Sequence, residues 1–163
     1  MRIEATRYDH PDARRLIDEL QQLYVDRYGE EDITPVDPAQ FAPPHGLFLL
    51  GYLSGRAVAS GGWRVPDREQ PGFQDGDLEL KRMYIAPEVR GRGLSREMLA
   101  ELERSAAAAG GRRMVLETGT LQPEAIGLYL SAGYSEITKF GAYRDDPLSR
   151  CFGKDIQVRA VGA

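Results

Sequence analysis

The sequence predicts one compact α/β or α+β domain, and three observations carry that prediction. Its 163 residues are 42% hydrophobic, enough for one continuous core and cramped for two. Strand-like and helix-like stretches follow one another in the order β-α-loop-β-β-β-α-β-α-β-β. No internal repeat or interdomain linker interrupts them, so residues 1–163 read as a single domain.

Each element has a local reason. Arg2 to Thr6, with apolar Ile3 and Ala5, suits an opening strand. Pro11 then opens a helix whose Leu16, Ile17, Leu20, Leu23 and Tyr24 recur on one face until Gly29 stops it. Pro35, Pro38, Pro43 and Pro44 break regular structure between 30 and 46. Leu47 to Leu53 and Arg56 to Trp63 are β-prone runs separated by Ser54-Gly55, a hairpin turn, and should pair antiparallel. A polar loop, Val65 to Gly76, precedes a strand from Asp77 to Ile85. Simple alternation there puts Leu78, Leu80 and Tyr84 on one face and Glu79, Lys81 and Met83 on the other. After a turn from Pro87 to Gly93, Leu94, Met98, Leu99, Leu102 and Ala106 form the stripe of a helix ending near Gly110-Gly111. Arg113 to Thr118 reads as a buried strand, Pro123 to Ala132 as a short helix, and Tyr134 to Phe140 and Phe152 to Val158 as the last strands.

Composition narrows the function. Twenty-one lysines and arginines against 25 acidic residues leave a net charge of -4, which argues against nucleic acid as the principal partner. The polar, charged start lacks the apolar core of a signal peptide, and no stretch reaches membrane-spanning length. Cys151 alone makes neither an internal disulfide nor a cysteine zinc site, which fits a reducing cytoplasm. His10 and His45 lack metal-ligand spacing and read as structural or solvent-facing.

One segment carries chemistry. Arg90-Gly91-Arg92-Gly93-Leu94-Ser95 joins a strand to a helix, with glycines where the backbone must turn tightly and admit a ligand. Free N–H groups at a helix start, with the positive end of its dipole, suit a phosphate or pyrophosphate. The Gly-Lys-Ser/Thr of a P-loop is absent, and the stretch lacks the last glycine of a dinucleotide fingerprint.

These residues resemble the GNAT N-acyltransferases, whose R/Q-x-x-G-x-G/A motif is filled here by Arg90, Gly93 and, in place of the last glycine or alanine, Ser95. Leu80 to Pro87 is similar to the family's fourth strand and its proline exit. Ala125 to Tyr134, with Leu128-Tyr129 and Gly133-Tyr134, is similar to its later helix. The resemblance implies the family's fold, a mixed, mostly antiparallel, strongly twisted sheet of six to seven strands flanked by about four helices. It implies acetyl-CoA as cosubstrate, with its pyrophosphate on residues 90 to 95, including Leu94, and its pantetheine arm along the strand ending near Ile85. An amine attacks the thioester directly, and no metal is required. Main-chain N–H near Met83 or Tyr84 would polarise the carbonyl. Glu79, eleven residues before Arg90, matches the general base of the family's histone-acetylating branch and equally reads as a solvated strand carboxylate, with Glu117 as rival base or amine-binding carboxylate. Tyr129 matches the acid that protonates the departing thiolate, and Gln122 replaces an asparagine near the pantetheine arm. Substrate recognition falls to Tyr24, Tyr28, Glu30, Glu31 and Asp32 and to Tyr143, Asp145 and Asp146. Acidic groups beside aromatics suit a cationic amine, and equally read as solvated surface. The expected acceptor is a small-molecule amine. A peptide or protein acetyltransferase and a non-catalytic acyl-CoA sensor are the alternatives, and a homodimer is compatible with all three.

Overall fold

The computed structural model describes residues 1–157. Strands β1 (Arg2–Thr6), β2 (Gly46–Leu53), β3 (Arg56–Arg64), β4 (Asp77–Ile85), β5 (Arg113–Gly119), β6 (Ser135–Ile137) and β7 (Ser149–Asp155) form one sheet in the order β1-β2-β3-β4-β5-β7-β6. Only β4 and β5 pair parallel; every other neighbour is antiparallel. The helices are α1 (Pro11–Tyr28), α2 (Leu94–Ala108) and α3 (Pro123–Ser131), and two short 3-10 turns, Pro38–Phe41 and Pro87–Val89, supply the remaining helical segments. This is the mixed, mostly antiparallel sheet that was expected. Two boundaries differ. The strand expected at Tyr134 to Phe140 is shorter, and the last strand begins at Ser149; Val158 lies outside the described residues.

Strand alternation sorts the core into two layers. Leu49, Val58, Trp63 and Leu80 pack against Met98, Leu99 and Leu102 of α2 and Tyr129 of α3. On the opposite face, Phe48 and Leu50 pack against Leu16, Ile17 and Leu20 of α1. Each fully buried side chain of this size stabilises the fold by about 1.5–3 kcal/mol. Helix α1 starts where the His10 ring nitrogen accepts from the Asp12 N–H at 3.0 Å, and ends where Gly29 takes the left-handed conformation, φ 82°. The histidine is therefore structural. At the hairpin, Ser54 (φ 49°) and Gly55 (φ 78°) both adopt the positive φ that a tight two-residue turn demands.

Strand β4 departs from simple alternation. Its pairing with β3 shifts register between Ser60 and Gly62, and Arg82 sits at φ 59°. A bulge of this kind places two successive residues on one face. Lys81 and Arg82 thus both point toward the α1 side, where they meet Asp32. Every residue beyond them is flipped. Tyr84 joins the α1 core, while Met83 and Ile85 join Leu78 and Leu80 against α2. The expected grouping of Tyr84 with Leu78 and Leu80 fails because one extra residue in a strand of period two exchanges its faces.

Candidate active site

At the start of α2 the chain forms a cradle. Gly91 (φ 79°) and Gly93 (φ 78°) hold left-handed conformations, and a Cβ on either would meet nothing within 4 Å. The space above the backbone is therefore open to a ligand. No side chain caps the helix, and its first turn begins with the Glu97 N–H bonded to the Gly93 carbonyl. The N–H groups of Leu94, Ser95 and Arg96 precede any intrahelical partner and bring the positive end of a 15-residue helix with them. Arg90 donates from Nε to the Ile85 carbonyl at 3.1 Å, and its guanidinium lies 5.8 Å from the centre of the Tyr84 ring. Arg92 is exposed beside it. The structure thus brings Arg90, Gly91, Arg92, Gly93, Leu94 and Ser95 to one rim, next to the end of β4.

A cavity opens within the sheet, where β4 and β5 separate. The parallel pairing of β4 with β5 covers only Asp77↔Arg113, Leu78↔Met114 and Glu79↔Val115. Beyond these three pairs the strands part. A cavity of about 170 Å³ opens between Leu80, Lys81, Arg82 and Met83 on one side and Leu116, Glu117, Thr118 and Gly119 on the other. Tyr24 and Tyr28 of α1, Asp32, Gln122, Tyr129 of α3, Tyr143 and Ser149 also line it, with the acidic Glu30, Glu31 and Asp146 among the remaining lining residues.

Electrostatics within the cleft are set by burial. Glu117 accepts from the Ser149 hydroxyl at 3.0 Å. Burial pushes its carboxyl above the usual carboxylate range, against the pull of the Lys81 charge and the serine. Burial likewise raises the Tyr129 hydroxyl, which has no hydrogen-bond partner among the described residues and lines the cavity. The Tyr129 ring is braced edge-on by Tyr134, 5.6 Å between centres. Tyr28 donates to Gln122 Oε1 at 3.3 Å and lies across Gly119, where a Cβ would come within 1.9 Å of its hydroxyl. The Tyr143 hydroxyl accepts from the Ile33 N–H at 2.8 Å, tying the loop before β7 to the segment after α1.

Asp32 is the hub of that segment. Its Oδ2 accepts from Lys81 Nζ at 2.9 Å and from Arg82 Nη1 at 3.0 Å, while Oδ1 accepts from the Thr34 N–H at 2.9 Å. Burial would raise its pKa, but the two cations outweigh burial and hold it well below the ordinary carboxylate range. Glu79 lies elsewhere. Its Oε1 accepts from Arg64 Nε at 2.8 Å, in a pair whose side chains are each 8% exposed. Arg64 also donates to the Pro35 carbonyl and to Gln40, so this pair anchors the α1–β2 segment. Glu117, Tyr129, Gln122, Tyr28, Tyr143 and Met83 therefore share the cavity, whereas Glu79 is not among its lining residues. Lys81, Arg82 and Ser149 are cavity residues that sequence reasoning missed. For Lys81 and Arg82 the signal was two adjacent cations within a strand, where alternation would send one to each face.

The model of the acetyltransferase (GNAT) family matches residues 14–134, well over half of the chain. The chain belongs to the GNAT family. It is thus an acyltransferase, and several relatives agree. An IAA acetyltransferase from Azospirillum brasilense is 35% identical over 142 residues, 87% of this chain and 89% of that protein. A Klebsiella pneumoniae structure described as an acyl-CoA N-acyltransferase is 28% identical, with a TM-score of 0.76 over 95% of this chain and 97% of its own. PaiA N-acetyltransferase from Thermoplasma acidophilum, solved with coenzyme A, shares the fold at a TM-score of 0.66 and 15% identity, over 95% of this chain and 99% of its own. The glycine cradle and the parted strands are thus features of a GNAT acetyltransferase. Cys151, by contrast, is buried on β7 opposite Glu117 of β5, with its thiol pushed up to about 11 by burial, unsuited to act as a nucleophile.

Proposed function

We propose that this GNAT protein, acting as a single domain in a reducing cytoplasm, moves an acetyl group from acetyl-CoA to the amine of a small molecule. The parting of β4 and β5 supports this reading, because the cavity holding Glu117 and Tyr129 opens between the two strands and the cradle at residues 90–95 follows the end of β4. The cradle fits a diphosphate, with open space over two glycines and unpaired helix N–H groups. Acetyl-CoA supplies a thioester. A relative named for acetyl transfer supports the acetyl group as the one moved.

The remaining chemistry belongs to the chain. An alkylamine with a pKa of about 10.4 is protonated near neutrality and needs a base before its nitrogen can attack the carbonyl carbon. Glu117 takes that proton, because its carboxylate opens on the cavity and its raised pKa brings it closer to the working pH. Glu79 instead anchors the α1–β2 segment through Arg64. Main-chain N–H near Met83 or Tyr84 meets the negative charge growing on the carbonyl oxygen. As the carbon–sulfur bond breaks, Tyr129 gives its proton to the leaving sulfur; its hydroxyl has no partner among the described residues to compete. The size of the cavity and its two overlying segments, tied by Tyr143 and Ile33, favour a small acceptor over a protein chain.

The test combines calorimetry with thiol release. Coenzyme A should bind the purified protein, and the absence of binding would overturn the reading. Acetylation should rise with pH as Glu117 ionises. That limb should vanish in Glu117→Gln and persist in Glu79→Gln; the reverse pattern returns the base to Glu79.

A further inference from the structure

We propose that the acceptor carries a carboxylate as well as its amine, with the carboxylate held by Lys81 and the amine presented to Glu117. This rests on the acetyl-transfer reading above and narrows its substrate to amino acids and related amino-carboxylates.

Charge bookkeeping at the bulge carries the inference. Lys81 and Arg82 are 9% and 5% exposed, and both turn to the acceptor side of the sheet. One carboxylate, Asp32, serves both. Two buried cations against one buried anion leave a positive charge unbalanced, an arrangement that burial strongly disfavours. Lys81 also keeps spare donors. Of its three N–H groups one reaches Asp32, and no second partner occurs among the described residues. Arg82 is held by two partners, with Nη1 on Asp32 at 3.0 Å and Nε on the Tyr8 hydroxyl at 3.1 Å. Both cations line the cavity, and Lys81 is the one that meets it with a compact ammonium bonded to a single partner.

Glu117 does not discharge this surplus. Its carboxylate answers the ammonium of the acceptor, whose proton it must receive. Glu30, Glu31 and Asp146 also line the cavity, but the two glutamates are exposed, where water and salt weaken their reach, and Asp146 accepts the Leu148 N–H through Oδ1. A single surplus charge matches a monoanion. A phosphate dianion would overshoot it beside Asp32 and Glu117. The acidic residues around the cavity suggest a purely cationic amine when read from the sequence, but the structure commits Asp32 to Lys81 and Arg82 and so removes it from the acceptor. The aromatic wall of Tyr24, Tyr28 and Tyr143 is left for an apolar side chain.

The test is a thiol-release panel in which each of the twenty amino acids is paired with its amide and its decarboxylated amine. Carboxylated members should win in kcat/KM by about 10- to 100-fold, the factor that one hydrogen bond to a charged group carries. In Lys81→Met that ratio should collapse toward one. Equal or faster turnover of the amides and amines would overturn the inference while leaving acetyl transfer intact. Turnover of no member, with coenzyme A bound, would overturn both. The wild-type panel decides the matter if Lys81→Met does not fold.

Discussion

Replacing Asp32 with asparagine should destabilise the protein more than any other single change at the site. The side chain is 10% exposed and bonded to two cations at 2.9 and 3.0 Å. Asparagine preserves the shape and the acceptor for the Thr34 N–H but removes the charge, leaving two buried cations unanswered. Breaking a buried ion pair from one side costs about 3–5 kcal/mol. For a domain of this length, 1 kcal/mol shifts the melting temperature by about 2–4 °C, so the expected fall is about 6–20 °C at pH 7. The pH dependence gives a second handle. Because Asp32 titrates well below the ordinary carboxylate value of about 3.9, the unfolded chain takes up its proton first as pH falls. The stabilisation from Asp32 is thus complete above that ordinary value and is lost as pH falls toward the folded-state pKa. The gap between wild type and Asp32→Asn should narrow as pH falls from about 5 toward 2. Calorimetric melting of both proteins across that range measures it. A fall of less than about 2 °C at pH 7, or a gap indifferent to pH, would refute the hub role of Asp32.

Two further outcomes follow from the cavity. Gly119→Ala would bring a methyl group to within 1.9 Å of the Tyr28 hydroxyl, forcing the ring off Gln122. Coenzyme A binding by calorimetry should persist while the KM for the acceptor rises about tenfold, the effect of losing about 1.4 kcal/mol of contact. Tyr129→Phe removes a hydroxyl that bonds to no described protein group, so its melting temperature should hold while thiol release slows by about 10²- to 10⁴-fold; an unchanged rate would end its role as the acid.

Much of this was legible in the chain because the causes are local. Ser54-Gly55 between two β-prone runs could only close a hairpin, and the glycines at 91 and 93 could only mark a tight, open turn before the stripe of α2. The site was legible in its cradle and in Tyr129 and Glu117, which lie in segments whose type and order are set by neighbours in sequence. Strand β6 was overextended because pairing with β7 is limited to Ser135, Glu136 and Ile137, which alternation does not reveal.

The amino-acid sequence by itself determined the order of elements, the two faces of each helix and the glycine turn before α2, since periodicity and backbone φ preferences act over a few residues. Only the tertiary structure decided which charges are available for chemistry. A bulge at Arg82, made where β4 pairs with β3, turns two cations onto one face, and the fold then assigns Asp32 to them and Glu79 to Arg64. Ion pairs between residues 15 to 50 positions apart depend on distance in space, and spacing along the chain does not encode it.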